Sequence, residues 1–546
     1  MNDQATTATA APATFLRPIA LTRVQGWWLG VGGCTGAVAA FLLARLTAWP
    51  PHEDEVLAMF TGRESMHDAI RTVLGERGGA PLHFLLAWMI AHTGGGLVEL
   101  RLVSTFFAVA SVPLMALLVA RIADRTTALV ATVIISPSWI LLFHGVYGRM
   151  YSLFLFTSVL SYLALLGALE RRDRTGWTLW GLAMLACIAT HPYGALVLAS
   201  QGLYVVLARQ TRVALPAFLA VAVLAVPFWR TDFVLAGRFD VGVGGGGARL
   251  GGPISVARYL ARVAGDFTGG WTVARALVLS LALVGFVVLV RERRVGATLA
   301  ASSVVAPAAI FMLMRVGSGM ASPESRHLIF VLPFFATLLA LPLVRLARSP
   351  LPQGLPLAAV AVISLGALEI GWGMHNTPRL YRGEKHARTV ARAQAAAWLA
   401  ATSRPDDVLF GYDPLFLGAW ERNSRFSETV VPRADTRLAL HVLYRARKPL
   451  GRGVWVLDAS DTSNINPRLH IPLLYPSPPS KFVARAFGPF LVVRSREPTR
   501  TIREFLLETQ SVQFVGEDLF LGDSDINLLT VERALGLRGL GGLGRR

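Results

Sequence analysis

Residues 80–95 read APLHFLLAWMIAHTGG, Ala80 to Gly95, an apolar run with a proline near its start and glycines at its end. A membrane core about 30 Å thick needs about 17 to 25 apolar residues in one helix. This run is shorter, so it is read as interfacial or re-entrant, lying along the membrane and not crossing it. That choice decides the side of everything after it. If the run does not cross, the loops carrying Arg121 and Arg125, ERRDR (Glu170–Arg174), RQTR (Arg209–Arg212), RERR (Arg291–Arg294), and Arg345 with Arg348 all share the side of Arg17 and Arg23. Basic loops gather on the cytoplasmic side, and a crossing at residues 80–95 would destroy that agreement for every later loop.

Working outward, eleven runs are read as spans, several of them short or split by proline, near 25–48, 100–120, 127–146, 152–169, 176–191, 194–208, 213–229, 272–290, 296–314, 327–344 and 355–373. The composition agrees: of 546 residues 53% are hydrophobic and 16% charged, with a mean hydropathy of +0.50, where a soluble domain carries about 25% charged residues. The expectation is a polytopic α-helical membrane protein. Its net charge of +19 sits in short clusters between apolar runs, the pattern of a membrane protein and not of a nucleic-acid binder. Cys34 and Cys187 both lie inside apolar runs, so neither a disulfide framework nor a cysteine metal site is indicated.

Residues 1–24 read as a cytoplasmic tail leading to an uncleaved anchor, because the first apolar run lacks an A-x-A cleavage site. Residues 25–374 form the membrane module, with outside loops at 49–99 and 230–271. Residues 375–546 then fall outside as a C-terminal domain. Its helical EKHARTVARAQAAAWLAATS (Glu384–Ser403) and strand-like DVLFG (Asp407–Gly411) and GVWVLD (Gly453–Asp458) predict a small α/β fold. The closing LGLRGLGGLGRR (Leu535–Arg546) reads as a tail.

Candidate sites collect at the ends of spans on the outer side. WPPHEDEVLAMF (Trp49–Phe60) sets Glu53, Asp54 and Glu55 side by side. Neighbours on a helix diverge by about 100°, so they cannot all face one target. A solvated helix start after Pro50 and Pro51 accounts for them; a general base or a metal ligand does so as well. HGVYGRMYSLFLF (His144–Phe156) offers His144, Tyr147, Arg149 and Tyr151 at one bilayer edge, either as an interfacial belt or as donors to a lipid phosphate. SPESRHLIFVLPFF (Ser322–Phe335) adds Arg326 and His327, either as an arginine snorkelling at a helix end or as a further phosphate contact pair, and THPYG (Thr190–Gly194) adds His191 in a tight turn that a plain helix connection explains as well. RFDVGVGGGGARLGGP (Arg238–Pro253) lacks the G-x-x-x-x-G-K-[ST] pattern, so it is no nucleotide cradle; it reads as a flexible outer loop, with Arg258, Tyr259, Arg262 and Asp266 following it.

The order of these features resembles the bacterial integral-membrane glycosyltransferases of the GT-C fold. An acidic cluster precedes PLHFLLAW (Pro81–Trp88), then come ELRLVSTFFAVASVPLMALLVARI (Glu99–Ile122), SPSWILLFHGVYGRMYSLFLF (Ser136–Phe156) and RHLIFVLP (Arg326–Pro333). The nearest group is that of the dolichyl-phosphate-mannose protein mannosyltransferase-like and aminoarabinose-transferase-like enzymes. The resemblance implies transfer of a hexosyl or pentosyl group from a polyprenyl-phosphate donor to a cell-envelope acceptor outside a bacterial plasma membrane. It implies Asp54 as catalytic base with Glu55 beside it. Arg101, Arg149, Tyr151, Arg326 and His327 are then the donor-phosphate contacts; Glu53, His83, His144 and His191 are acceptor or metal candidates from their own places in the sequence, which the resemblance does not assign. No nucleotide is implied, and a divalent cation is used by some members. The chain departs from the family's H-P-P-L-Y at Gly79-Ala80-Pro81-Leu82-His83, and His327 stands where the family has tyrosine. A lipid or solute transporter is the alternative, for which Glu369, deep in a run, is the one pointer; a non-catalytic scaffold presenting the C-terminal domain is another.

Overall fold

The structure, a computed structural model, describes residues 23–77, 79–239, 252–313, 324–377, 386–423, 425–427, 429–432, 436–446, 449–458 and 477–521. The expected N-terminal tail up to residue 22, most of the glycine-rich loop (240–251) and the closing glycine-rich tail lie outside the described residues.

Helix α1 (Arg23–Arg45) is followed by two short helices, α2 (Glu53–Gly62) and α3 (Met66–Thr72), and by α4 (Pro81–His92). Next come α5 (Leu97–Ile122), α6 (Arg125–Ile135), α7 (Trp139–Val146), α8 (Tyr151–Arg171), α9 (Arg174–Thr190), α10 (Gly194–Leu207), α11 (Thr211–Leu224) and α12 (Val226–Phe239). The third group is α13 (Pro253–Phe267), α14 (Thr272–Glu292), α15 (Arg294–Leu313), α16 (Leu332–Ala347), entered through a 3-10 turn at Ser325–Val331, and α17 (Gly354–Asn376).

Every expected run is helical, but fewer meet the length for a crossing. Among the described residues seven helices are long and apolar enough, and nine if the bent pairs α6/α7 (62°) and α11/α12 (57°) each count as one span. The two expected spans that fall short are α9, with 17 residues, and α10, with 14. Proline explains the first bend: Pro137 has no N–H to give and crowds the preceding turn. α4 has 12 residues, about 18 Å at 1.5 Å per residue, too short to cross, as the sequence indicates.

The basic loops meet at one end of the bundle. Arg121 pairs with Glu170 at 3.6 Å, Arg348 with Asp124 at 3.2 Å, and Arg345 with Glu292. Loops placed on one side by charge counting are thus neighbours in space. At the opposite end lie α2, α4 and the turns before α8, α10 and α16.

Beyond α17 the chain forms an α/β unit: α18 (His386–Thr402), β1 (Val408–Phe410), α19 (Pro414–Arg422), β2 (Thr429–Val431), α20 (Thr436–Arg445), β3 (Gly453–Asp458), β4 (Phe482–Phe487), β5 (Phe490–Ser495) and α21 (Ile502–Leu521). The sheet order is β2-β1-β3-β5-β4, parallel between β1 and its two neighbours and antiparallel at β5. Side chains alternate across a strand, and here both faces are covered. Trp455 and Leu457 pack with Leu443 and Phe505 on one face. Leu409, Val454 and Val456 on the other share a single core with Val56, Met59 and Phe60 of α2, Ala87 of α4 and Leu100 of α5. The α/β unit is therefore built onto the helices that carry the acidic cluster.

Candidate active site

Helix α2 begins where two prolines stop the chain leaving α1. His52 caps it: the ring Nδ1 accepts from the Asp54 N–H at 3.2 Å, and the Glu55 carboxylate accepts from the His52 N–H at 3.0 Å. This reciprocal cap satisfies first-turn donors that would otherwise have none. It also fans the acids out. Each of the three faces a different part of the molecule: Glu53 accepts from the Tyr412 N–H of the α/β unit at 3.2 Å, Asp54 pairs with Arg149 at 2.7 Å, and Glu55 turns inward to Arg101.

The inward pair is closed on all sides. Arg101 Nε and Nη2 donate to the two Glu55 oxygens at 2.8 and 2.7 Å, and its remaining N–H groups reach the carbonyls of Leu46, Trp49 and Pro50 at 2.7, 2.8 and 2.9 Å. Glu55 also accepts from the Gly148 N–H at 2.7 Å. Glu55 is 0% and Arg101 3% exposed. Such a pair offsets its desolvation only when every donor and acceptor is used, and here they are. Glu55 and Arg101, given catalytic and phosphate-binding roles by the resemblance, are occupied with each other and with the backbone of two loops. Asp54, with 37% of its side chain exposed, is the carboxylate open to a ligand.

Opposite Asp54 stands a basic and aromatic cluster. Tyr151 adjoins two guanidinium groups, with the Arg149 and Arg326 carbons 5.3 and 4.9 Å from its ring centroid. His144 and His191 sit 4.9 and 5.6 Å from the same ring. His327 stacks on Tyr193 at 4.7 Å and lies 5.3 Å from His191. Hydrogen bonds assign two tautomers: His191 Nδ1 accepts from the Tyr193 N–H at 3.1 Å and His327 Nδ1 from the Glu324 N–H at 3.0 Å. The proton of each neutral ring is then on Nε2.

Burial, reinforced by Arg149 and Arg326, pushes His191 down to about 3. His83 on α4 is pushed to about 3 by burial and then by Arg149. For Arg149 itself burial opposes the charge, and Asp54 with the neighbouring tyrosines more than restores it, so its pKa rises. Two permanent cations beside neutral histidines make a pocket for an anion.

The cluster has two open valences. Among the described residues, the buried atoms His144 Nδ1 and Arg326 Nε have no hydrogen-bond partner. Buried polar groups in proteins are mostly paired, so an orphan calls for an explanation; Trp27 Nε1, Tyr162 OH and the Glu369 carboxylate are further orphans among the described residues, and what sets these two apart is that both side chains adjoin Tyr151. No group of three or more His, Cys, Asp or Glu among the described residues could hold a metal ion.

The structure thus brings together Asp54, His144, Arg149, Tyr151, His191, Arg326 and His327, places His83 at their edge, and sets Glu53, Glu55 and Arg101 in supporting contacts. Sequence reasoning singled out Tyr259 and Asp266 after the glycine-rich loop, but not their role as mounts, and it missed Trp372 and Asn376. Arg326 Nη2 donates to Glu324 at 2.9 Å, Tyr259 OH donates to the Glu324 carbonyl at 3.1 Å, and Ser325 donates to Asp266. Asp266 also accepts from Trp372 at 3.3 Å and Asn376 at 3.4 Å. Asp266 and Tyr259 of α13 thereby fix the turn that carries Arg326 and His327. Glu324 and Tyr193 adjoin His327 and His191 in the sequence, but no local pattern marks them as their partners.

Comparison with solved structures gives ArnT from Cupriavidus metallidurans in two states. The form bound to undecaprenyl phosphate matches with a TM-score of 0.51 at 15% identity, over 86% of this chain and 98% of that one. The apo form matches at 0.50 and 14%, over 87% and 98%. The chain has the fold of ArnT. This is the GT-C fold that the order of motifs implies, and at this identity it is the fold alone that is shown. Apo Archaeoglobus fulgidus oligosaccharyltransferase is also similar, with a TM-score of 0.46 at 12% identity over 79% of this chain and 69% of that one, too low a score to carry an argument. No protein-family model matches, and no curated protein sequence does. With its apolar helices and this fold, the chain is a multi-pass membrane protein.

Proposed function

We propose that the protein is an inverting membrane glycosyltransferase, moving a hexosyl or pentosyl group from a polyprenyl-phosphate donor to a hydroxyl or amine of a cell-envelope polysaccharide, lipid or protein outside the plasma membrane. The observation that carries this reading is the pair of buried, unpartnered nitrogens, His144 Nδ1 and Arg326 Nε, on side chains that both adjoin Tyr151. Leaving a buried donor unpaired costs about 1–3 kcal/mol; in this reading phosphate oxygens accept from Arg326 Nε and from His144 in its Nδ1–H tautomer. The likeness to ArnT, which binds undecaprenyl phosphate, supports a lipid phosphate as the occupant.

In this reading Asp54 takes the proton from the acceptor nucleophile as it attacks the anomeric carbon. The bond from that carbon to the phosphate oxygen breaks, and its electron pair leaves on the phosphate. Arg149 and Arg326 balance the added charge, with the Nε2–H groups of His191 and His327 as neutral donors. Asp54 and Arg149 start as an ion pair at 2.7 Å, so a phosphate that takes Arg149 frees the base. Donor binding then comes before acceptor activation. Glu55 and Arg101 hold the frame, tying the loop at Pro50 to Gly148 beside Arg149.

The test is release of polyprenyl phosphate from a panel of lipid-linked sugars by purified protein. Asp54→Asn is expected to lower release about 10²- to 10⁴-fold while undecaprenyl phosphate still binds. Unchanged release would overturn the assignment. Sidedness is checked with a cysteine placed at exposed Arg485, which a membrane-impermeant maleimide is expected to label in intact cells; labelling only after permeabilisation contradicts an outer domain.

A further inference from the structure

The helix that carries the proposed base has two flanks, and each is made by a different part of the molecule. On the membrane side Asp54 and Glu55 meet Arg149 and Arg101. On the other side the contacts come from the β1–α19 corner of the α/β unit, 359 positions along the chain from Glu53 at its first contact. Glu53 Oε1 accepts from the Tyr412 N–H at 3.2 Å, next to Gly411, whose φ of +85° lets β1 turn sharply toward α2. Phe60 packs its ring 4.7 Å from Trp420 and 6.1 Å from Tyr412. Arg63, which caps the end of α2, lies 4.9 Å from the Trp420 ring centroid and 3.5 Å from the Glu421 carboxylate. Both ends of the helix are thus held, with a shared apolar core between them.

α2 needs that support. It has 10 residues, whereas helices under about 12–15 residues are marginal without packing. Its apolar side chains, Val56, Met59 and Phe60, find a large part of their partners in the α/β unit. We infer that Tyr412, Trp420 and Glu421 are positioning residues for transfer: the C-terminal unit sets where Asp54 stands relative to Arg149, so it is a working part of the active site and not only a docking platform beside it. The inference rests on the reading of Asp54 as base. It predicts that disturbing a residue remote from the phosphate pocket slows turnover without loosening the donor.

The experiment uses the full chain in detergent or nanodiscs and compares Trp420→Ala with Trp420→Phe, and Glu53→Ala with Glu53→Gln. The glutamine keeps an oxygen to accept from the Tyr412 N–H. Three quantities are read: hydrogen exchange over residues 53–62, affinity for undecaprenyl phosphate, and the rate of polyprenyl phosphate release. Trp420→Ala is expected to speed exchange in 53–62, leave the affinity unchanged and lower kcat about 10²-fold, the scale of a small misplacement of a catalytic group. Phe at 420 and Gln at 53 are expected to recover most of the loss. Unchanged exchange over 53–62 in a folded variant overturns the inference, as does faster exchange with unaltered turnover or a parallel loss of phosphate affinity. If the wild-type protein releases nothing from any donor, the glycosyltransfer reading fails, while the exchange comparison still decides whether the α/β unit holds α2.

Discussion

Three consecutive acids with three destinations show how little a local motif says about the role of each residue. Glu55 stands one helical step further round than Asp54, and that step puts it in the interior against Arg101. Removing one partner leaves a buried charge uncompensated, so Arg101→Met is expected to cost about 3–5 kcal/mol of stability, read from denaturant unfolding in detergent. Replacing Glu55 by Leu in the same chain is expected to recover part of it. The histidines make a second residue-scale prediction. His83 and His191 stand at about 3 in the fold, against about 6.5 in an open chain. Between those values the unfolded chain binds protons that the folded chain refuses. Their contribution is therefore complete above about pH 6.5 and is lost as pH falls toward 3. The unfolding midpoint is expected to drop from pH 7 to pH 4.5, and His191→Gln is expected to flatten that slope; a midpoint insensitive to acid contradicts the buried, neutral assignment.

Among elements, the decisive contact is the crossing of α2 and α4. A Cβ at Gly62 would stand 2.7 Å from the Ala87 carbonyl and 2.9 Å from the Trp88 nitrogen. Backbone cannot move aside as a flexible side chain can, so only glycine lets the helices touch. Gly62→Ala is expected to cost about 1–3 kcal/mol as overpacking, and, by pushing α2 outward, to slow transfer more than it weakens phosphate binding; full activity and stability in this variant would show that the crossing has slack. The break between α6 and α7 matters for the site as well. It ends the straight run at Pro137, and α7 then delivers His144 and the turn that bears Gly148 and Arg149.

At the scale of the molecule, the α/β unit shares its core with the outer helices instead of hanging from α17. A chain ending at Thr377 would expose Val56, Met59, Phe60 and Leu100, so it is expected to give aggregated protein in size-exclusion chromatography and not an active membrane module. Recovery of a monodisperse, phosphate-binding truncation would show the two parts to be separable. At the opposite end, part of the charge grouping is seen in contacts: Arg121, Arg345 and Arg348 tie the loops near Asp124, Glu170 and Glu292 to one another.

The sequence by itself determined the membrane class, the runs that become helices, the short α4, the mixed α/β end and the stretches from which the site is drawn. These follow from apolar length, charge asymmetry and turn chemistry, all of which act within about one helix of chain. It could not determine which acid faces out, that His144, His191 and His327 converge on Tyr151, or that Tyr412 reaches Glu53. Those depend on how helix crossings and one proline break rotate residues far apart in the chain, and only the packed core fixes such rotations, because a small turn of a helix exchanges a buried face for an open one.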